Sequence, residues 1–245
     1  MRGAAAKSAV RAFALLELCR ELRQPLRLKD FVDRLGFPTS STAELLKAMA
    51  EAGYLSFDTT SRTYFPTPRL ASLGDWIGDA LFEEQTLLDA MHDLHEQTGE
   101  AILLATANGL HVQYIDGIQC EQPIRFLVEI GTRRPMVCSG PGTAILCRES
   151  DEFIEKIYRR TKAKGLLGER GPSFAELQRR IRTARDRGYF FAKDIVYKGA
   201  CSIAAAVSRG RQGRKLAISI AGPTGRIQAR EKEFAEALRR KTTAF

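Results

Sequence analysis

Two short segments of the chain gather hydroxyls, glycines and cations at spacings suited to holding anions. The first is Thr39-Ser40-Ser41-Thr42, directly after Pro38, followed by Glu44, Lys47 and, further on, Arg62. Ser and Thr hydroxyls can bond phosphates or base edges, Lys47 and Arg62 add positive charge, and a helix N-terminus favours a phosphate. Side chains this small or polar suit a helix face that enters a major groove about one helix wide. Glu44 can accept from a cytosine amino group, or serve only as an exposed helix-stabilising residue. The second segment is Ser139-Gly140-Pro141-Gly142-Thr143, which opens an apolar run. Proline near a helix start, free backbone N–H groups, the helix dipole and the Ser139 and Thr143 hydroxyls together make a seat for a carboxylate. The plainer alternative is a glycine turn above a packed core.

The other reactive residues do not assemble into a catalytic or metal site. His92 and His95 stand i, i+3 beside Asp89 and Glu96, a spacing that can hold a metal, yet no further ligand spacing joins them and a solvated helix face accounts for them. Cys138 and Cys201 have no histidine near them in sequence and read as buried thiols. No Walker motif, dinucleotide glycine fingerprint or serine nucleophile elbow is present. Enzymatic activity, a metal and a cofactor are therefore not expected.

The elements that must position the first segment are legible from Leu28 to Phe65. Leu28, Phe31, Val32 and Leu35 recur at helical spacing and bury one face. Gly36 supplies the turn at that helix's C-terminus. Pro38 and Thr39 to Thr42 start a second helix, with Leu45, Leu46, Met49 and Ala50 inward and Gly53 closing it. Tyr54 to Phe57 and Arg62 to Phe65 read as strands around a turn at Asp58 to Ser61. A preceding amphipathic helix carries Phe13, Leu15, Leu16, Leu18 and Leu22. This is the pattern of a winged helix-turn-helix, and it points to double-stranded DNA as partner. A packing unit that touches no nucleic acid is the alternative.

Length and charge frame the reading. At 245 residues the chain can bury one large core or two ordinary ones. A net charge of +9 fits an anionic partner, but the excess extends well beyond the helix-turn-helix, into the stretch from Lys156 to Arg187, which reads as a solvated helix face. Five widely separated cysteines (Cys19, Cys120, Cys138, Cys147 and Cys201) suggest reduced thiols and a cytoplasmic location. Arg11 and Glu17 interrupt the alanine-rich start, which reads as an amphipathic helix rather than a signal peptide, and no membrane contact is expected.

Pro66 and Pro68 end the wing, and a helical pattern runs from Leu70 to about Gln97, weakened at Gly74 and Gly78. Beyond Gly99 the texture becomes mixed. Ala101 to Ala105 and Leu110 to Ile115 flank Asn108-Gly109, a hairpin signal. Pro123 to Glu129 and Met136 to Cys138 continue the strand pattern. Pro141 to Leu146 opens a helix, Ser150 caps another to about Thr161, and Ser173 with Glu176 forms a capping box for a third that ends near Gly188. Strands follow at Tyr189 to Lys193, Ala200 to Ser208 and Lys215 to Ala221, and a basic, polar helix from Arg226 to Arg240. The fold class expected is α+β: residues 1–67 a winged helix-turn-helix, 68–98 linker helices, 99–245 a sensor-like domain. In that domain Gly140, Gly142 and the hydroxyls would face Ser202 and Ser219 on two strands, with Phe126, Ile130 and Met136 as a wall. Such a pocket suits a small, largely apolar or aromatic carboxylate.

The ordered segments YFPTPRLASLG, QTGEAILLA, HVQYIDG, PIRFLVEIGTRRPM, SGPGTAILC, ARDRGYFF and SIAAAVSRGRQGRKLAISIAGPTGRI, together with the helix-turn-helix, resemble IclR-type transcriptional regulators (the isocitrate lyase regulator family) over almost the whole chain. The resemblance implies a DNA-binding domain, a linker helix that contributes to dimer contacts, and a GAF-like domain binding a small organic effector. It implies a homodimer or dimer of dimers on operator DNA, controlling catabolic genes. Two positions depart from the family pattern. A basic residue after the proline and a later arginine of the recognition helix appear here as Thr39 and Glu44, which should lower phosphate attraction. A frequent Gly-Lys-Ala of the pocket loop is Gly142-Thr143-Ala144, so no role of that lysine carries over. Two alternatives stay open: a dimeric regulator that no longer senses a ligand, and an enzyme built on the GAF-like domain.

Overall fold

In the computed structural model, residues 4–81, 87–169, 171–207 and 214–243 are described, and the chain divides into two compact units, Met1–Asp79 and Ala80–Phe245. Residues 82–86 of the expected linker helices, and Ser208, lie outside the described residues.

The first unit consists of α1 (Ala4–Leu22), β1 (Leu26–Arg27), α2 (Leu28–Leu35), α3 (Thr39–Glu51), β2 (Leu55–Asp58), β3 (Thr63–Pro66) and α4 (Pro68–Leu81). Its core is small: Leu15, Leu18, Phe31, Leu46 and Leu55 meet from three helices and the wing. The strongly amphipathic α2 stops at Gly36, whose φ of +65° is left-handed and whose N–H closes on Val32. The strands form an antiparallel sheet in the order β1-β3-β2, with Asp58 opposite Thr63 at the wing tip. β1, only two residues long, carries no periodicity and was not expected. Pro66 ends β3, and Pro68 opens α4, where its missing N–H has no helical partner to lose.

The second unit runs α5 (Leu87–Thr98), β4 (Ala101–Asn108), β5 (His111–Ile118), β6 (Arg133–Pro135), a single 3-10 turn (Met136–Cys138), α6 (Gly140–Leu146), α7 (Asp151–Ala163), α8 (Phe174–Arg187), β7 (Phe190–Lys193), β8 (Ala200–Ala206), β9 (Leu216–Pro223), α9 (Thr224–Ala229) and α10 (Glu231–Thr242). One antiparallel sheet, in the order β6-β5-β4-β9-β8-β7, carries helices on both faces. Leu103, Ala105, Val112 and Tyr114 pack with α6, α7 and α8. Their neighbours Ile102 and Leu104, with Ile203, Ile218 and Ile220, pack with α5, α9 and α10. Two buried faces explain why the strand runs are continuously apolar instead of alternating. The α+β class is as expected.

Three expected elements differ. Pro123 to Glu129 is not a strand: its polar bonds are local or reach side chains, as in Gln119 Nε2 to the Val128 carbonyl at 3.0 Å and Arg226 Nη1 to the Ile124 carbonyl at 2.7 Å. Its apolar residues either face solvent, Ile124 at 74% exposure, or line a cavity. Met136 to Cys138 forms the 3-10 turn, held at its start by the Met136 N–H on the Leu110 carbonyl at 3.0 Å. The C-terminal helix breaks at Arg230 into α9 and α10, and its inner face is apolar, with Phe234 and Leu238 buried.

Candidate functional site

On α3, Thr39, Ser40, Glu44 and Lys47 are exposed. Ser41 is half-buried: its hydroxyl donates to the Pro38 carbonyl at 3.1 Å and accepts from Arg11 Nη1 at 3.3 Å. Thr42 departs from the expected outward face. It is 1% exposed, and its hydroxyl donates to the Pro38 carbonyl at 2.9 Å. Both hydroxyls bond back to the carbonyl three or four residues earlier, the usual local pattern for Ser and Thr within a helix. Arg11 was missed in the sequence because it lies on α1; it packs over the Phe37 ring at 5.2 Å and reaches the start of α3.

Lys47 lies 3.7 Å from Glu51, but both side chains are about two-thirds or more exposed, so the pair binds Lys47 weakly and leaves it able to meet a phosphate. Arg62 is exposed in the wing turn with φ +54°, a left-handed conformation that non-glycine residues rarely adopt. Asp58 fixes that turn: its carboxylate accepts from the Thr60 N–H at 2.8 Å and the Ser61 hydroxyl at 2.7 Å. The Ser61 hydroxyl first, then the backbone donors, hold the Asp58 carboxyl below its ordinary value. Residues 1–79 carry 11 Lys and Arg against 9 Asp and Glu, whereas residues 80–245 carry 27 against 20. Most of the positive excess therefore belongs to the second unit.

The second unit holds a cavity of about 70 Å³ between the sheet, the start of α6 and two surface loops. Of the residues expected there, Phe126, Gly140, Ser202 and Ser219 line it. Gly140 is required by the approach: a Cβ at this position would lie 2.5 Å from the Ser202 hydroxyl. Ile130 is instead 48% exposed, and Met136 is buried behind the cavity wall. Ser139, Gly142 and Thr143 are buried and do not line the cavity. Two backbone donors of the carboxylate seat expected at this helix start are already used within the turn. Ser139 Oγ accepts from the Gly142 N–H at 3.2 Å, and the Thr143 N–H bonds the Ser139 carbonyl at 3.0 Å. Gly142 is needed because a Cβ there would come within 2.6 Å of Met136 Cα. Tyr114, Arg134, Tyr197 and Ala221 are among the further residues that line it. Those four come from strands and a loop far apart in sequence, so only the tertiary fold brings them together.

Two of the thiols are unreactive at neutral pH. Burial pushes the Cys147 thiol up to about 11 and the Cys201 thiol, which borders the cavity, up to about 12, so both stay protonated at neutral pH. His95 Nδ1 is bound to the Glu100 carbonyl at 2.8 Å. Among the described residues no group of His, Cys, Asp and Glu is arranged to hold a metal ion, and no helix is long and apolar enough to cross a membrane.

A helix-turn-helix with an exposed, partly polar second helix, a wing carrying a cation and a separate mixed domain define a DNA-binding transcriptional regulator. The sequence matches the IclR helix-turn-helix domain over residues 8–59 and the bacterial transcriptional regulator IclR C-terminal domain over residues 85–244. The chain belongs to the IclR family. Transcriptional repressor IclR of Escherichia coli K12 is 27% identical over 235 residues, covering 90% of this chain and 81% of that protein. The acetate operon repressor of Salmonella typhimurium LT2 is also 27% identical over 235 residues, with the same coverage of 90% and 81%. Thermotoga maritima IclR shares the fold, with a TM-score of 0.66 over 97% of this chain and 96% of that one at 17% identity. As a family member the chain is a regulator and not an enzyme.

Proposed function

We propose that this chain is a ligand-responsive, sequence-specific repressor that acts as a homodimer or dimer of dimers on operator DNA and controls a catabolic operon. Residues 1–67 read DNA, 68–98 couple the two units, and 99–245 sense a small organic acid. The observation that carries the sensing role is the cavity: a largely apolar space with a few convergent polar groups, the usual make-up of a ligand site. Its size narrows the ligand. A water needs roughly 10–15 Å³ on this measure, so the space corresponds to about five to seven waters, the scale of a small acid. The names of the Escherichia coli and Salmonella relatives support repression, and the latter's support an acid-related operon.

Thr39, Ser40, Glu44 and Lys47, with Ser41 at the helix start and Arg62 on the wing, form the proposed DNA face. Occupancy of the cavity by the acid would favour one arrangement of the coupling helices and so change the spacing of paired recognition helices against half-sites a helical turn apart. The test begins with a site selected from random duplex DNA by the full-length protein. Ser40→Ala and Arg62→Ala should weaken binding to that site at physiological salt, and unchanged affinity in both would remove the proposed face. A short-chain acid that releases the DNA should be recovered unchanged from the complex.

A further inference from the structure

We propose that Arg134 is the anion anchor of the cavity and that it restricts the ligand to short acids bearing one carboxylate against an apolar tail. This rests on the cavity being the effector site. β6 pairs with β5 so that Arg134 lies opposite Val112, which puts its side chain on the same sheet face as Tyr114, diagonally placed. There it lines the cavity half-buried and is the one formal charge among the described lining residues. Its partners are neutral phenols. Nη2 donates to the Tyr197 hydroxyl at 3.2 Å, the guanidinium sits 5.1 Å from that ring's centroid, and its charge acts on the buried Tyr114 hydroxyl.

No carboxylate lies within ion-pair distance of Arg134 among the described residues, whereas Arg226, Arg230, Arg185 and Arg180 of the same unit each hold one. The planar guanidinium fork matches a carboxylate in two parallel charge-assisted bonds, which are stronger than its present bond to a neutral phenol. Leu103, Phe126 and Ala221 add apolar surface to a cavity whose other polar groups, the Tyr114 and Tyr197 phenols, Ser202 and Ser219, are all neutral. At the helix start the Gly142 N–H is held by Ser139 Oγ, and Ser139, Gly142 and Thr143 do not line the cavity. Bound acid would therefore take the guanidinium edge now turned to Tyr197, while its tail lies along Phe126 and Ala221.

The experiment uses full-length protein and the straight-chain carboxylates from acetate to hexanoate with their 2-oxo analogues, each paired with its neutral amide, titrated by calorimetry. At least one acid should bind and its amide should not. Losing a hydrogen-bonded charge pair should weaken that acid about ten- to a hundredfold in Arg134→Gln, with partial recovery in Arg134→Lys. Tyr197→Phe, which removes the phenol that the acid displaces, should bind it at least as tightly. The inference fails if amides bind as well as acids, if Arg134→Gln binds the acid unchanged, or if no acid of the series binds. Ala221→Leu fills the cavity and separates the two readings. If plugging abolishes binding and Arg134→Gln does not, the anchor alone is wrong; if the plugged protein still binds, the cavity is not the site. Unliganded thermal unfolding and circular dichroism of each variant check that it is folded.

Discussion

Arg226→Met tests the interaction that ties the start of the sheet to the C-terminal helices. Glu100 is 4% exposed, and its two carboxylate oxygens accept from Arg226 Nε at 2.6 Å and Nη2 at 2.7 Å. Gly222 packs against the carboxylate so closely that a Cβ there would lie 2.6 Å from Oε2. Methionine keeps the bulk of the arginine stem but removes the only side chain ion-paired with Glu100 among the described residues. Breaking a buried pair this way costs about 3–5 kcal/mol. The Arg226 side chain is 34% exposed, so solvent already screens part of the pair and the lower end applies, about 3 kcal/mol. The same arginine donates to the Ile124 carbonyl, so the loop beside the cavity loses an anchor as well. For a unit of this size a loss of that order lowers Tm by roughly 6–12 °C, to be read by scanning calorimetry as the second unit's transition. The double variant Arg226→Met with Glu100→Gln should recover at least about 1 kcal/mol of it, because no bare charge then stays buried. A single variant melting within about 2 °C of the parent, or a double variant no better than the single, would refute the reasoning.

Three further outcomes are expected. Lys47→Ala and Arg62→Ala should each make the slope of log K against log salt shallower by about one unit on operator DNA, measured by fluorescence anisotropy; an unchanged slope in either places that cation off the phosphates. Thr42→Val should cost about 1 kcal/mol of stability through the lost bond to Pro38 yet leave the selected DNA sequence unaltered, and a shifted preference would return Thr42 to the DNA face. At pH 8 iodoacetamide should leave Cys147 and Cys201 of the native protein unmodified, since they ionise only near 11 and 12, and labelling at the rate of free cysteine would contradict their burial.

What the sequence made legible were features set by neighbouring residues. Gly36 and Gly53 end α2 and α3 with φ of +65° and +79°, and Gly109 turns the hairpin with φ +63°, each in the left-handed region that glycine adopts without strain. Ser150 and Ser173 cap α7 and α8 through their own side chains. Features decided across the chain were not legible. Thr42 belongs by composition with the polar side of its helix, but it is buried by its neighbours and its hydroxyl donates back to the Pro38 carbonyl. Pro123 to Glu129 alternates like a strand, yet its partners are Arg226 and the cavity instead of a sheet edge. Arg134 falls in PIRFLVEIGTRRPM, where nothing signals its neighbours, because Tyr197 is 63 residues away. The Glu176 carboxylate pairs with Arg180, a contact that the capping-box spacing alone did not reveal.

The near balance of 11 cations and 9 anions in residues 1–79 bears on how the regulator finds its target. A genome presents on the order of 10⁶ to 10⁹ wrong addresses for each right one, and grip on wrong addresses comes almost wholly from phosphate neutralisation. A reading unit with little surplus charge is held only briefly at each of them. Fewer copies should then be lost to random sequence at a given salt concentration. Occupancy in such a unit depends on contacts specific to the site, so mutations in the operator should be felt more sharply than changes in protein abundance.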